Sequence, residues 1–285
     1  MTQTVDVKAA KERELAGWTA TAAGWNKHHA LLERFSAPVS DKLIEKAGIQ
    51  PGMRVLDIAC GTGQPAISVA ERVGTQGSVL ATDFVEPVIV YARMKAKERG
   101  LTNIEFRCLD GEALDVPANS FDAVTMRWGI MFMPSPVESM KGAHAALRRG
   151  SRIALTAWAS PQQNPFVMIA LGVIRNHLDI PTPPPGTPGI FAFADQARLR
   201  STIEAGGFGD VQIEPFDFVV GEFTSGEDYW TFIREIGAPI ARLYAQLSSD
   251  DQRVVDREVH AEAERSRSGD KVVVRGTTWI ASGRK

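Results

Sequence analysis

From Lys8 to Gly48 the apolar positions recur three and four apart: Leu15, Trp18, Ala22 and Trp25, then Leu31, Leu32 and Phe35, and after Pro38 Leu43, Ile44 and Ala47. That spacing lines one face of a helix, so two or three helices are expected before the break at Gly48 and Pro51-Gly52. The pattern then shortens. Apolar runs of strand length, Val55 to Ile58, Ser78 to Ala81 ending at Asp83, Ile104 to Cys108, Phe121 to Met126 and Ile153 to Trp158, alternate with helical stretches at Ala66 to Val73, Pro87 to Arg99 and Val137 to Leu147. Strands and helices alternating through short connections predict βαβ units on a parallel sheet, an α/β doubly wound fold.

The second half is less regular. An apolar helix from Asn164 to Leu178 leads into PTPPPGTPG, whose prolines predict a stiff, extended path over 181–189. Asp195 is placed to cap a helix running to Ala205, Val211 to Val220 reads as a long strand, and helices at Glu227 to Leu247 and Asp250 to Arg267 precede a last strand from Val272 to Ile280. Because these helices separate two strands that are expected to pair, they and the 161–190 segment read as insertions over one rim of the sheet. The expected division is an N-terminal helical cap (1–50), a ligand-binding core (51–160), and the rest of the sheet with substrate-binding insertions at 161–190 and 224–268 (161–285).

Composition narrows the function classes only modestly. The 44% apolar and 23% charged content of the 285 residues is ordinary for a globular protein, and the formal net charge of -2 is not gathered into a basic block. Nucleic acid is therefore not an expected partner, nor is an anionic membrane surface. The two cysteines, Cys60 and Cys108, have no metal-ligand spacing, and no metal is expected. The polar start MTQTVDVKAAKERELAG and the lack of a long apolar run predict an intracellular, cytoplasmic protein with no membrane span.

Candidate chemistry gathers at the strand ends. VLDIACGTGQP reads as strand, tight turn and helix, and side chains almost vanish at Ala59, Gly61 and Gly63, so backbone N–H groups and a helix end can approach a ligand. Asp83, about twenty residues further on, suits the two hydroxyls of a ribose. Asp110-Gly111-Glu112 places a carboxylate and backbone groups where the amine of an adenine would lie. The turn lacks the G-x-G-x-x-G spacing of a pyrophosphate seat, and Asp57 would repel phosphate yet suit an ammonium group. These positions describe a nucleoside pocket.

The stretches VLDIACGTG, GSVLATD and IEFRCLDGEALDVPANSFDAVTMRWGI resemble the class I S-adenosylmethionine-dependent methyltransferases, in particular the type 11 branch that holds the ubiquinone and menaquinone C-methyltransferases. The resemblance is specific over 53–158. It implies a mostly parallel, seven-stranded Rossmann-like sheet and S-adenosyl-L-methionine as cofactor, with S-adenosyl-L-homocysteine as product. It also implies Asp57 near the methionine ammonium, Ala59, Gly61 and Gly63 along the methionine part and ribose, Asp83 on the ribose, Phe84 beside the adenine, Asp110 at strand three, and Arg127 and Trp128 after strand four. Two departures stand out: Ala59 replaces the family's commoner glycine, and Arg149-Gly150-Ser151 replaces its Pro-Gly-Gly.

A sulfonium methyl is already electrophilic, so the protein mainly has to align the acceptor for in-line displacement and keep water out. His28 and His29 are candidate catalytic bases, set against a bland reading as surface residues at a helix end, and Arg127 is a candidate to stabilise an acceptor anion. Trp25, Met131, Phe132, Trp158, Phe166 and Trp230 are the candidate acceptor pocket; together they would suit a hydrophobic small molecule such as a quinone, phenol, polyketide or lipid-like compound. The competing expectations are a cofactor-binding module without turnover and a nicotinamide-dependent oxidoreductase.

Overall fold

The computed structural model describes residues 6–181 and 186–285. Four residues of the proline-rich stretch expected to be extended, 182–185, lie outside the described residues. Eighteen labelled elements follow in chain order. Helices α1 (Val7–Lys27) and α2 (His29–Lys46) come first, then β1 (Arg54–Ile58), α3 (Ala66–Val73), β2 (Ser78–Asp83), α4 (Glu86–Glu98), β3 (Ile104–Cys108) and β4 (Phe121–Arg127). They are followed by α5 (Pro136–Ala146), β5 (Leu147–Trp158), α6 (Pro165–His177), α7 (Gln196–Ala205) and β6 (Gly209–Phe223). The chain closes with α8 (Gly226–Ile236), α9 (Ala238–Tyr244), α10 (Ser249–Glu264), β7 (Arg267–Ser268) and β8 (Lys271–Arg284).

The sheet runs β3-β2-β1-β4-β5-β8-β6, with the two-residue β7 added on β8. The first five strands of that path are parallel, and β8 and β6 pair antiparallel. Alternate residues point to opposite faces. Val55, Val79, Ala81 and Ala123 meet α3 and α4, whereas Leu56, Ile58, Val124 and Met126 meet Met140 and Ala143 of α5 and Ile203 of α7. Strand order reverses between β1 and β4, so their carboxyl ends diverge and leave a crevice, the usual ligand position in doubly wound sheets.

Three expectations about elements need correction. The two or three helices expected at the N-terminus are two, dividing at His28; α2 runs through Pro38 because the fully buried Val39 and Leu43 anchor its inner face. The expected helix from Glu227 to Leu247 is two, broken at Gly237, since Pro239 lacks an amide hydrogen and fits only the first turn of a new helix. The fifth strand begins at Leu147 rather than Ile153. Pro215 is accommodated within β6 because β6 is the edge of the sheet. Among the described residues no helix is long and apolar enough to cross a membrane.

Candidate functional site

The turn after β1 is built on left-handed backbone, with Ala59 at φ 58°, Gly61 at 53° and Gly63 at 111°. Glycine adopts that conformation freely and alanine does not. Asp83 holds the turn in place: Oδ2 accepts from the Gly61 amide at 2.9 Å and Oδ1 from the Val85 amide at 3.0 Å. Its carboxylate is buried, which pushes its pKa up to about 6 despite those two bonds.

Asp57 lies beneath this turn, fully buried. Thr125 donates to its Oδ1 at 2.5 Å, while Oδ2 has no hydrogen-bond partner. Burial pushes its pKa up to about 7, against the opposing pull of the Thr125 bond and the Arg127 charge. Asp57 is not on the cavity wall, so the expected position beside a ligand's ammonium becomes one of charge acting through the turn. Gly63 is also behind the wall, where a side chain would strike Ile67.

At the end of β3, Asp110 Oδ1 accepts from the Glu112 amide at 2.8 Å and Glu112 Oε1 accepts from the Ser135 amide. Gly111 between them has no room for a side chain, since a Cβ would come within 2.9 Å of Ile58 and Met133. Lys11 of α1 reaches both acids, its Nζ 2.5 Å from Asp110 Oδ2 and 2.9 Å from Glu112 Oε2.

Arg127 and Trp128 end β4. Arg127 donates to the hydroxyls of Ser36 and Ser40, and its guanidinium stands 5.0 Å from the Trp128 ring centre. Burial lowers its pKa to about 10, still far above neutrality. Trp128 takes φ 57°, held there by its amide on Thr156 Oγ1 (2.9 Å) and its indole N–H on Thr278 Oγ1 (3.0 Å). A bulky residue in left-handed backbone at a strand end is strained, and only a well-determined surrounding keeps it so.

One cavity joins these groups to an apolar lobe. Ala59, Gly61, Asp83, Phe84, Asp110, Gly111, Glu112, Arg127 and Trp128 line it from the strand ends. On the other side Trp158 stacks on Trp128 with ring centres 4.7 Å apart, Phe166 tilts against Trp158 at 4.5 Å, and Phe218 lies nearly parallel to Trp158 at 5.7 Å. Met131, Phe132, Phe232, Ile236 and Ile240 extend that lobe. The roof is α1, which contributes Lys11, Glu14, Trp18 and Trp25, all on one helical face. Trp25 donates its indole N–H to the Ile236 carbonyl at 2.8 Å, and Trp18 packs edge-on to Phe132 at 4.7 Å.

The remaining candidates lie elsewhere. His28 Nε2 pairs with Glu235 Oε2 at 2.6 Å and its ring abuts Phe232, so it fastens the α1–α2 junction to α8 instead of facing the cavity. His29 is at the helix start with Nδ1 on the Asn26 carbonyl at 2.8 Å, and borders a small cleft that shares Gln64 and Arg127 with the main cavity wall. Neither histidine lines the main cavity itself. Trp230 is core, buried to 1% exposure with its N–H on Asp256 Oδ1 at 2.6 Å.

Several wall residues had no part in the sequence reading: Lys11, Glu14, Phe218 and Ile240. Glu14 carried a signal, an acid four residues before Trp18 on the apolar stripe of α1. Its carboxyl is 2% exposed, faces Arg242 at 3.6 Å, and keeps Oε2 without a hydrogen-bond partner; burial pushes its pKa up. Phe218 and Ile240 carried none, because nothing local distinguishes a cavity wall from core.

Residues 49–173 match the family model described as a methyltransferase domain. Aklanonic acid methyltransferase DauC of Streptomyces sp. (strain C5) is 38% identical over 123 residues, 43% of this chain and 56% of that protein. The ubiquinone/menaquinone biosynthesis C-methyltransferase UbiE of Pseudomonas putida is 34% identical over 134 residues, 47% of this chain and 50% of that protein. The matched segments thus span about half the length of these curated relatives. The crystal structure of the YcgJ protein from Bacillus subtilis shares the fold, with a TM-score of 0.58 at 16% identity over 87% of this chain and 98% of that one.

Proposed function

We propose that this chain is a class I S-adenosylmethionine-dependent methyltransferase, on the match of residues 49–173 to a methyltransferase domain, and that it methylates a hydrophobic small molecule held in the apolar lobe of the cavity. The observation that carries this reading is continuity: a nucleoside-type wall of glycine turn, Asp83, Asp110 and Gly111 opens without partition onto a wall of Trp158, Phe166, Phe218 and Phe232. The residues present fit the cofactor. Asp83 lines the cavity and each of its oxygens accepts one backbone amide, leaving acceptor capacity for ribose hydroxyls; Asp110 and the unsubstituted Gly111 backbone suit an adenine edge, and Asp57, with Oδ2 unpartnered, would when ionised set a negative potential under the turn where the methionine ammonium would lie. Arg127, cationic and neighbouring the turn, suits the methionine carboxylate.

When bound, S-adenosylmethionine supplies an electrophilic methyl group on sulfur. What the chain supplies is position and dryness. The α1 roof and the stacked aromatic wall exclude water, and the rings hold an apolar acceptor against the strand ends. The relatives act, by their names, on aklanonic acid and on ubiquinone or menaquinone precursors, so quinones and polyketide-like aromatics head the acceptor panel. Calorimetry with S-adenosylhomocysteine tests the cofactor half: binding to wild type that is weakened roughly tenfold or more by Asp83→Ala is expected, and no binding to wild type would overturn the reading. Release of S-adenosylhomocysteine from S-adenosylmethionine with that panel tests the rest. Binding without turnover on any acceptor would favour a cofactor-binding module.

A further inference from the structure

The N-terminal helix is fastened at both ends of the cavity. At one end Trp25 bonds the Ile236 carbonyl, and Lys27 and His28 both pair with Glu235. Between the ends, Trp18 and Ala22 pack on Phe84, Val85 and Val88, the residues that follow the ribose acid Asp83. At the other end Lys11 bridges Asp110 and Glu112, one turn before Glu14 meets Arg242 of α9 at 3.6 Å.

Those two acids are held rigidly for it. Each spends one oxygen on a backbone amide, Asp110 on Glu112 N and Glu112 on Ser135 N, and presents the other to the lysine. Glu112 is 4% exposed, whereas the Lys11 side chain is 32% exposed and reachable by salt. The same Asp110 stands at the adenine edge of the cavity. With Lys11 on Asp110 and Trp18 packed on Phe84, the first half of α1 lies over the wall where a nucleoside between Phe84 and Asp110 would sit. The terminal turns of a helix open more readily than its middle, so this end is the one able to move.

We propose that Lys11 is a latch residue for the cofactor: its paired contacts with Asp110 and Glu112 close α1 over the nucleoside end and set how long the cofactor stays bound. This rests on the cofactor reading above. Lys11 is a positioning residue, acting through the two acids and the helix that carries it.

The test is the dissociation rate of S-adenosylhomocysteine, followed by stopped-flow through the fluorescence of Trp18 and Trp25 after chase with excess S-adenosylmethionine. In Lys11→Met, release is expected to be roughly fivefold faster, the upper end for losing a partly exposed ion pair. Release from the wild type should also accelerate with ionic strength, and that dependence should be lost in the variant. Lys11→Arg, which keeps the charge and reach, should restore slow, salt-sensitive release. Unchanged release from Lys11→Met, or release that stays as salt-sensitive as the wild type, would overturn the latch while leaving the cofactor reading intact. Failure of the wild type to bind S-adenosylhomocysteine would overturn both. A thermal midpoint lowered in Lys11→Met with release unchanged assigns the contact to stability alone and also overturns the proposal.

Discussion

The methyl group of Ala59 fills the space that a side chain at Gly129 would need: a Cβ built at Gly129 would come 2.6 Å from the Cβ of Ala59. The turn after β1 and the turn after β4 are therefore packed as one unit, with alanine on one side matched by glycine on the other. Ala59 carries the cost of left-handed backbone, φ 58°. Ala59→Gly is expected to stabilise the protein by about 0.5–1 kcal/mol. Gly129→Ala should destabilise it by ~1–3 kcal/mol through overpacking. Combined, the two should lose less than the sum of the single changes, because removing the Ala59 methyl makes room; urea denaturation of the four proteins measures the coupling. Additive effects would mean the two turns are independent.

The buried Asp57 makes stability depend on pH in a defined direction. Its folded-state pKa, pushed up to about 7 by burial, stands above the unfolded carboxylate value. Folding therefore favours the protonated form, so this contribution is fully present below the unfolded pKa and is lost as pH rises through about 7. Thermal midpoints of cofactor-free wild type and Asp57→Asn between pH 4 and 8 should diverge, the wild type losing ground to the variant as pH rises. Parallel curves would show that Asp57 is ionised throughout. A cationic ligand favours the ionised form, so S-adenosylhomocysteine, which keeps the ammonium group, should bind more tightly at pH 7.5 than at pH 5.5 in the wild type.

His28 and His29 should prove dispensable for chemistry. His28→Ala removes the Glu235 contact that fastens α1 to α8, and a loss of about 1 kcal/mol of stability is expected. Turnover with any active acceptor should change by less than about threefold, since neither ring reaches the cavity wall. A larger fall in kcat, with its pH profile shifted, would restore them as catalytic.

Phe218 tests the assignment of acceptor to the apolar lobe. It stacks on Trp128 and Trp158 from the edge strand β6. Phe218→Leu should raise the acceptor KM several-fold while leaving S-adenosylhomocysteine affinity within about twofold. Equal losses in both would mean the acceptor and cofactor do not occupy the two lobes as proposed.

Much of this protein was legible along the chain because it depends on local order. Apolar runs of strand length, helical spacing and glycine breaks are imposed by neighbours in sequence, and they determined the βαβ core. Asp83, Asp110 and Gly111 could be found the same way, since a parallel sheet brings the carboxyl ends of consecutive strands to one edge. What the chain alone left open depends on which distant segments meet. Whether Trp25 or Trp230 faces a cavity is decided by the tilt of α1 and α8, not by either residue's own neighbours, and the two came out opposite. Lys11 became a partner of Asp110 only when α1 crossed the end of β3, ninety-nine residues away. His28 and His29 turned from the cavity because the break between α1 and α2 sits on them, directing one ring to Glu235 and the other to its own turn. Backbone periodicity is a short-range property and built the cofactor crevice; the roof and the apolar lobe are made by long-range packing, which only the folded chain decides.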